Sequence, residues 1–276
     1  MKRLVLALVV LSLLVARPAW ATWSVIAIDQ RTGAVVIASA TCVTGARLVN
    51  FGEGNPNGLM GIQAIVVPGI GVAAAQAGVD TTRQNQMLIY NELRKGTPPS
   101  DILLLLKSDP GIESRQFGIL DMQGRMAGFS GSSNGEFSLH EQGRLDDEPI
   151  FYSIQGNILT SEAVVHDAVK AFAETDGSLT DRVMAAMEVA DREGGDSRCS
   201  CENERNPEID APCSTKTAHV AYILRAEKDD PVGESHNDGR YAMFLRVTDL
   251  DIQPTEDANP VKTLRMRYDA LVGSGG

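Results

Sequence analysis

The sequence predicts an α+β protein in which two largely antiparallel sheets pack together between helix layers. Three observations predict it. The elements run strands, a helix pair, strands, a second helix pair, strands. Short turns join neighbouring strands, which suits antiparallel pairing. Several strands are apolar on both faces and therefore need cover on both.

The chain reads as follows. Residues 22–28 (TWSVIAI) and 34–40 (AVVIASA) are β-branched and apolar, with Asp29-Gln30-Arg31-Thr32-Gly33 between them as a turn. They form a hairpin whose second arm belongs in the middle of a covered sheet. Residues 50–58, rich in Gly, Asn and Pro, are a loop. Residues 61–67 and 71–76 are strands around Pro68-Gly69. The period then changes to a helix over 80–94, punctuated by Gly96, and to another opened by Pro98-Pro99 and stopped by Asp109-Pro110-Gly111. Strands return at 116–121, 125–130 and 151–155. Helices follow at 161–174 and 179–192, ended by Gly194-Gly195. Residues 196–215 are Cys-rich and irregular. Strands at 218–225 and 241–247 and a helix from Pro260 to about 271 complete a single domain over 22–276.

Residues 1–21 read as a targeting segment. Lys2 and Arg3 precede an apolar run over 4–15, and Ala19-Trp20-Ala21 gives the small-x-small pattern of a cleavage site. The run is shorter than the ~20 residues that span a bilayer. Cleavage after Ala21 exports the chain to the periplasm or the medium. It removes three basic residues and no acid, taking the formal charge from −11 to −14. An acidic chain without a basic cluster excludes nucleic acid as a partner, and no membrane association is expected after processing.

An even count of four cysteines, Cys42, Cys199, Cys201 and Cys213, reads as disulfides in an exported chain. One of Cys199 and Cys201 closes on Cys213, and the other reaches Cys42. The competing reading, a metal site of Cys199, Cys201, Cys213 and His219, fits no common zinc spacing. The four histidines are scattered and form no metal pattern.

Cleavage would make Thr22 the first residue of a rigid strand. An N-terminal threonine carries a nucleophilic hydroxyl and a base on one residue. Its α-amine, with a pKa near ~8, takes the hydroxyl proton without a histidine or a cofactor. Lys95 is the only lysine between Thr22 and Lys107 and sits at a predicted helix end, which argues against a lysine-assisted scheme.

Five segments are similar to one known family: the opening Thr22-Trp23-Ser24-Val25-Ile26-Ala27-Ile28-Asp29 with its Thr32-Gly33 turn, Ala73-Ala74-Ala75-Gln76-Ala77, residues 117–127 (FGILDMQGRMA), Tyr152-Ser153-Ile154-Gln155-Gly156-Asn157-Ile158-Leu159, and Gly194-Gly195-Asp196-Ser197-Arg198. Together they resemble the domain-of-unknown-function family numbered 1028, grouped with the N-terminal-nucleophile (Ntn) hydrolases. The resemblance spans about residues 22–271. It implies an αββα four-layer sandwich and an amidohydrolase-like role, without a substrate. The Cys199–Cys213 stretch departs from the family as a longer loop.

On this reading Thr22 attacks an amide carbonyl in a small-molecule or peptide-like substrate. Asn157 and Gln76 are candidate oxyanion donors, a role worth ~3 kcal/mol where the geometry fits. Asp196 and Arg198 orient the amine or bind a substrate carboxylate. Ser24 and Ser39 flank the nucleophile on paired strands. Each has a structural alternative: turn chemistry for Asn157, an ion pair and cap for Asp196 and Arg198, tight sheet packing for the serines. The rival function is a non-catalytic ligand-binding or envelope-associated protein on the same scaffold, and a third is a structural partner in a homo-oligomer.

Overall fold

The computed structural model describes residues 21–52, 54–202 and 211–273. The predicted targeting segment, apart from Ala21, lies outside the described residues, as does the middle of the Cys-rich loop.

Ten strands form two sheets. The six-stranded sheet has the order β10 (Met243–Thr248), β9 (Val220–Ala226), β2 (Ala34–Thr41), β1 (Thr22–Asp29), β8 (Ile150–Asn157), β7 (Leu139–Arg144). The four-stranded sheet has the order β3 (Ala64–Val67), β4 (Gly71–Ala77), β5 (Arg115–Asp121), β6 (Met126–Ser130). Every pair is antiparallel. The opening hairpin occupies the centre of the larger sheet, and every residue of both its arms is buried.

The apolar side chains sort into three cores. Trp23, Val25 and Ala27 of β1 pack with α5 (Ala163–Glu174), α6 (Leu179–Arg192) and α7 (Pro260–Gly273). Ile26 and Ile28, from the opposite face of β1, pack against Val72 and Ala74 of β4 and Leu120 of β5 in the space between the sheets. Ala73 and Ala75 of β4 with Phe117 and Ile119 of β5 pack on α3 (Gln84–Lys95) and α4 (Pro99–Leu106). The alternation of side chains along each strand thus serves two cores at once. The expected helices outside each sheet are present. Among the described residues the helices number seven, the other two being the short α1 (Gly45–Val49) and α2 (Leu59–Gln63).

Several elements differ from the sequence reading: the short helix α1 was not expected, and α3 begins at Gln84 rather than at residue 80. The strand expected from residue 61 begins at Ala64, because residues 59–63 form α2, whose Leu59, Met60, Ile62 and Gln63 are all buried. A five-residue helix buried on most sides has no exposed face to set a helical period. Strand β7 was not expected: LHEQGR has no apolar alternation, and it lies at a sheet edge paired only with β8.

The four cysteines form two disulfides, Cys42–Cys199 and Cys201–Cys213, with Cα–Cα distances of 5.8 and 6.0 Å. No helix among the described residues is long and apolar enough to cross a membrane.

Candidate functional site

The space between the sheets is apolar over most of its length and polar at one end. The reason is strand parity. Thr22 and Ser24 share a face of β1 with Ile26 and Ile28, and across the ladder they meet Thr41 and Ser39 on β2 and Asn157 and Gln155 on β8. All six are buried. From the facing sheet Gln76 of β4 and Gln116 of β5 enter the same end, following Ala74 and preceding Leu120 on the inward parity.

Gln76 joins the two sheets. Its Nε2 donates to the Thr22 carbonyl at 3.0 Å and to Gln116 Oε1 at 2.7 Å. Its Oε1 accepts from Ser24 Oγ and Gln63 Nε2, each at 2.7 Å. Gln63 in turn accepts from the Tyr222 hydroxyl at 3.0 Å. Complete burial drives the Tyr222 phenol well above its ordinary value, so it remains a donor. Gln116 Nε2 reaches the Gly156 carbonyl at 2.8 Å. With both amide hydrogens engaged, Gln76 positions the Thr22 backbone. Ser39 Oγ donates to the Trp23 carbonyl at 2.6 Å, so both serines brace β1 rather than approach its first residue.

At the tip of β1 the peptide bond joining Ala21 to Thr22 is gripped from two sides. The Ala21 carbonyl accepts from Thr41 Oγ1 at 2.6 Å and from Arg198 Nη2 at 3.2 Å. The Thr22 hydroxyl lies 3.3 Å from Thr41 Oγ1, to which it donates. Asn157 stands opposite Thr22 in register on β8.

Arg198 is aimed by Asp196. The carboxylate takes Arg198 Nε at 3.0 Å and Nη2 at 2.8 Å, plus the backbone N–H groups of Arg198 and Cys42 at 3.1 and 2.9 Å. A carboxylate buried this completely requires such partners. The loop holding Asp196 is laid along the end of β8: Leu159 bridges Asp196, Thr160 N donates to the Gly195 carbonyl at 3.1 Å and Ser197 N to the Ile158 carbonyl at 3.2 Å. The Gln-Gly-Asn and Gly-Gly-Asp-x-Arg segments, far apart in sequence, are thus adjacent.

Gly195 makes this approach possible. Its φ is +47°, and a Cβ there would lie 2.7 Å from the Trp23 ring. Backbone strain is concentrated nearby: Ala77 and Ile158, which directly follow Gln76 and Asn157, hold φ of +68° and +53° without being glycine. Such conformations cost about 1–3 kcal/mol and persist only where surroundings impose them.

The Cys42–Cys199 bridge completes the frame. Each half-cystine directly follows a residue that grips the Ala21 carbonyl, Thr41 on one side and Arg198 on the other.

The structure therefore brings Thr22, Asn157, Asp196, Arg198, Gln76, Ser24, Ser39 and the Cys42–Cys199 pair together. Cys201–Cys213 lies farther along the same loop. Sequence reasoning missed Thr41, Gln63, Gln116 and Tyr222. Thr41 had a usable signal, since it shares the parity of Ser39. No group of three or more His, Cys, Asp or Glu among the described residues could hold a metal ion.

A family described as "Family of unknown function (DUF1028)" matches residues 22–203. Among solved structures, that of protein SPO2555 from Silicibacter pomeroyi, assigned to the same family, is similar, with a TM-score of 0.62 at 22% identity, covering 91% of this chain and 89% of that one. No curated protein matches.

Proposed function

The chain belongs to DUF1028, a family of unknown function, and from its own residues we propose that it is an exported N-terminal-nucleophile amidohydrolase activated by cleavage after Ala21. The layered sheets and helices are then the αββα four-layer sandwich of that superfamily.

One observation carries the reading. The bond that must break, between Ala21 and Thr22, lies at the polar end of the inter-sheet space with its carbonyl held by two donors and the Thr22 hydroxyl beside them. Its removal leaves an amine and a hydroxyl on the first residue of a fully braced strand, where both are held in one place.

The reaction follows from these groups. The Thr22 amine accepts the hydroxyl proton as Oγ1 attacks the substrate carbonyl. Asn157, opposite in register, stabilises the oxyanion together with backbone N–H groups. The amine passes its proton to the leaving nitrogen as the C–N bond breaks. Water, deprotonated by the same amine, then cleaves the threonyl ester and restores the hydroxyl.

The test uses the protein recovered from outside the cytoplasm. Its intact mass gives the first residue, and a hydroxyl-directed acylating probe followed by peptide mapping gives the labelled atom. A chain beginning at Thr22 and acylated there supports the proposal. A different first residue, or no labelling across several probes on a chain that does begin there, overturns it and favours the ligand-binding reading.

A further inference from the structure

We propose that the Thr41 hydroxyl is a positioning group for the Thr22 nucleophile, and that processing switches its single hydrogen from the Ala21 carbonyl to Thr22 Oγ1. The inference rests on the hydrolase reading above and names the regulation of that site: incomplete in the unprocessed chain, completed by the cut.

The first support is hydrogen-bonding capacity. A hydroxyl donates once and accepts twice. Thr41 Oγ1 accepts from the Val43 N–H at 3.2 Å and from the Thr22 hydroxyl at 3.3 Å, and it donates to the Ala21 carbonyl at 2.6 Å. Its capacity is therefore full while residue 21 is attached. The one hydrogen that could steady the Thr22 oxygen is engaged by the carbonyl of the bond to be cut.

The second support is rigidity. Thr41 ends a strand paired on both sides, with Thr22 on one and Val220 on the other. Its carbonyl accepts from the His219 N–H at 2.7 Å. The Val43 N–H holds its hydroxyl in the short turn that threonine makes with the residue two ahead. Cys42, next in the chain, is tied to Cys199. The Thr41 oxygen thus stays in place when residue 21 leaves, and only its hydrogen turns.

The third support is direction. The Val43 N–H can only donate, and so can the Arg198 guanidinium that shares the Ala21 carbonyl. Asn157, in register opposite Thr22, offers a rival acceptor for the Thr41 hydrogen. Thr22 Oγ1 is favoured because it already touches Thr41 and because negative charge develops on it, and hydrogen bonds to charged oxygens are the stronger. In the reaction Thr41 keeps its proton throughout. The Thr22 hydroxyl proton passes to the amine as Oγ1 attacks the substrate carbonyl, and the Thr41 hydrogen bond steadies that oxygen. It does so again when the threonyl ester breaks and Oγ1 is the leaving atom.

The experiment compares the processed protein with Thr41→Val, which keeps the shape and removes the hydroxyl, and with Thr41→Ser, which keeps the hydroxyl. Acylation of Thr22 by a hydroxyl-directed probe is followed against probe concentration and pH. The limiting rate is expected to fall about tenfold in Thr41→Val and to stay within about threefold of wild type in Thr41→Ser. The half-saturating probe concentration and the pH midpoint, which the amine sets, are expected to hold in both. An unchanged limiting rate in Thr41→Val overturns the switch and gives the hydrogen to Asn157. A loss in Thr41→Ser as large as in Thr41→Val, or a shifted midpoint, overturns it as general distortion of the site. Three-bond carbon couplings of the Thr22 methyl group read the same contact without chemistry: one rotamer is expected in wild type and Thr41→Ser, and averaging in Thr41→Val. Should Thr41→Val fail to fold, averaged couplings in the wild-type protein overturn the positioning, and a single rotamer with Thr41→Ser acylating normally supports it. Acylation that ignores Thr41 leaves the hydrolase and removes the switch. Averaging in Thr41→Val on a chain that no probe labels keeps the Thr41 hold and removes the hydrolase.

Discussion

The Gln76 side-chain amide on one sheet donates to the Thr22 carbonyl on the other at 3.0 Å. This bond ties the first residue of β1 to a fully engaged glutamine, which is itself held by Ser24, Gln63 and Gln116. Gln76→Glu would place a carboxylate where two hydrogens are donated, leaving Thr22 O and Gln116 Oε1 without them. A loss of about 2–4 kcal/mol in unfolding free energy is expected, measured by denaturant titration. A loss below 0.5 kcal/mol, roughly the scatter for surface changes, would remove the bracing role.

Thr22→Ala deletes the hydroxyl and leaves the amine. Acylation at position 22 is expected to disappear while stability changes by less than about 2 kcal/mol, the scale of losing the hydroxyl's hydrogen bond to Thr41 Oγ1. Thr22→Ser keeps the nucleophile and is expected to label. Labelling that persists in Thr22→Ala would place the reactive group elsewhere.

Gly195→Ala puts a Cβ against the Trp23 ring at a φ of +47°. The clash and the backbone strain together are expected to destabilise the protein by about 2 kcal/mol or more. Because Asp196 is the next residue, the variant is also expected to weaken acylation at Thr22. Unchanged thermal unfolding and unchanged labelling would contradict the close approach.

His236 gives a pH signature. Burial, with the nearby Arg83 charge, lowers its pKa from 6.5 to about 4. The unfolded chain therefore binds the extra proton first. The neutral ring's contribution is complete above pH 6.5 and is lost as pH falls toward 4, by about 3 kcal/mol in all. The difference between wild type and His236→Asn, followed by denaturant titration from pH 7 to 4, is expected to show this slope. A pH-independent difference would mean the histidine is not held neutral.

The two disulfides close loops of very different span, 157 and 12 residues. In the chain-entropy account their removal costs about 5 and about 3 kcal/mol. Replacing Cys42 and Cys199 by alanine is therefore expected to lower unfolding free energy more than replacing Cys201 and Cys213. The opposite order, by calorimetry, would contradict that account here.

Much of this was legible in the sequence because the inner strands are strongly patterned. The first hairpin and the two helix pairs follow from apolar runs and turn residues, and local motifs singled out Thr22, Asn157, Asp196 and Arg198, which the fold brings together. The six-stranded order did not, since pairing β1 with β8 joins segments more than 120 residues apart and leaves no local trace. Strand β7 escaped because an edge strand needs no apolar alternation. Gln63 and Gln116 escaped because a buried glutamine looks like any polar residue until its partners on other elements are known. Thr41 escaped for a narrower reason: it falls at the very end of a strand, where Thr is unremarkable.

Thr41 and Arg198 are each one residue from a half-cystine, and the two half-cystines are joined. Thiols stay reduced in most cytosols and pair in oxidising compartments. If the chain is exported and cut as proposed, a newly made copy would carry two separate safeguards against acting too early: an acyl cap on its first amine, and an unlinked pair of jaws around it. Both would be lifted on the same journey, so geography, rather than a dedicated inhibitor, would decide when the protein begins to work.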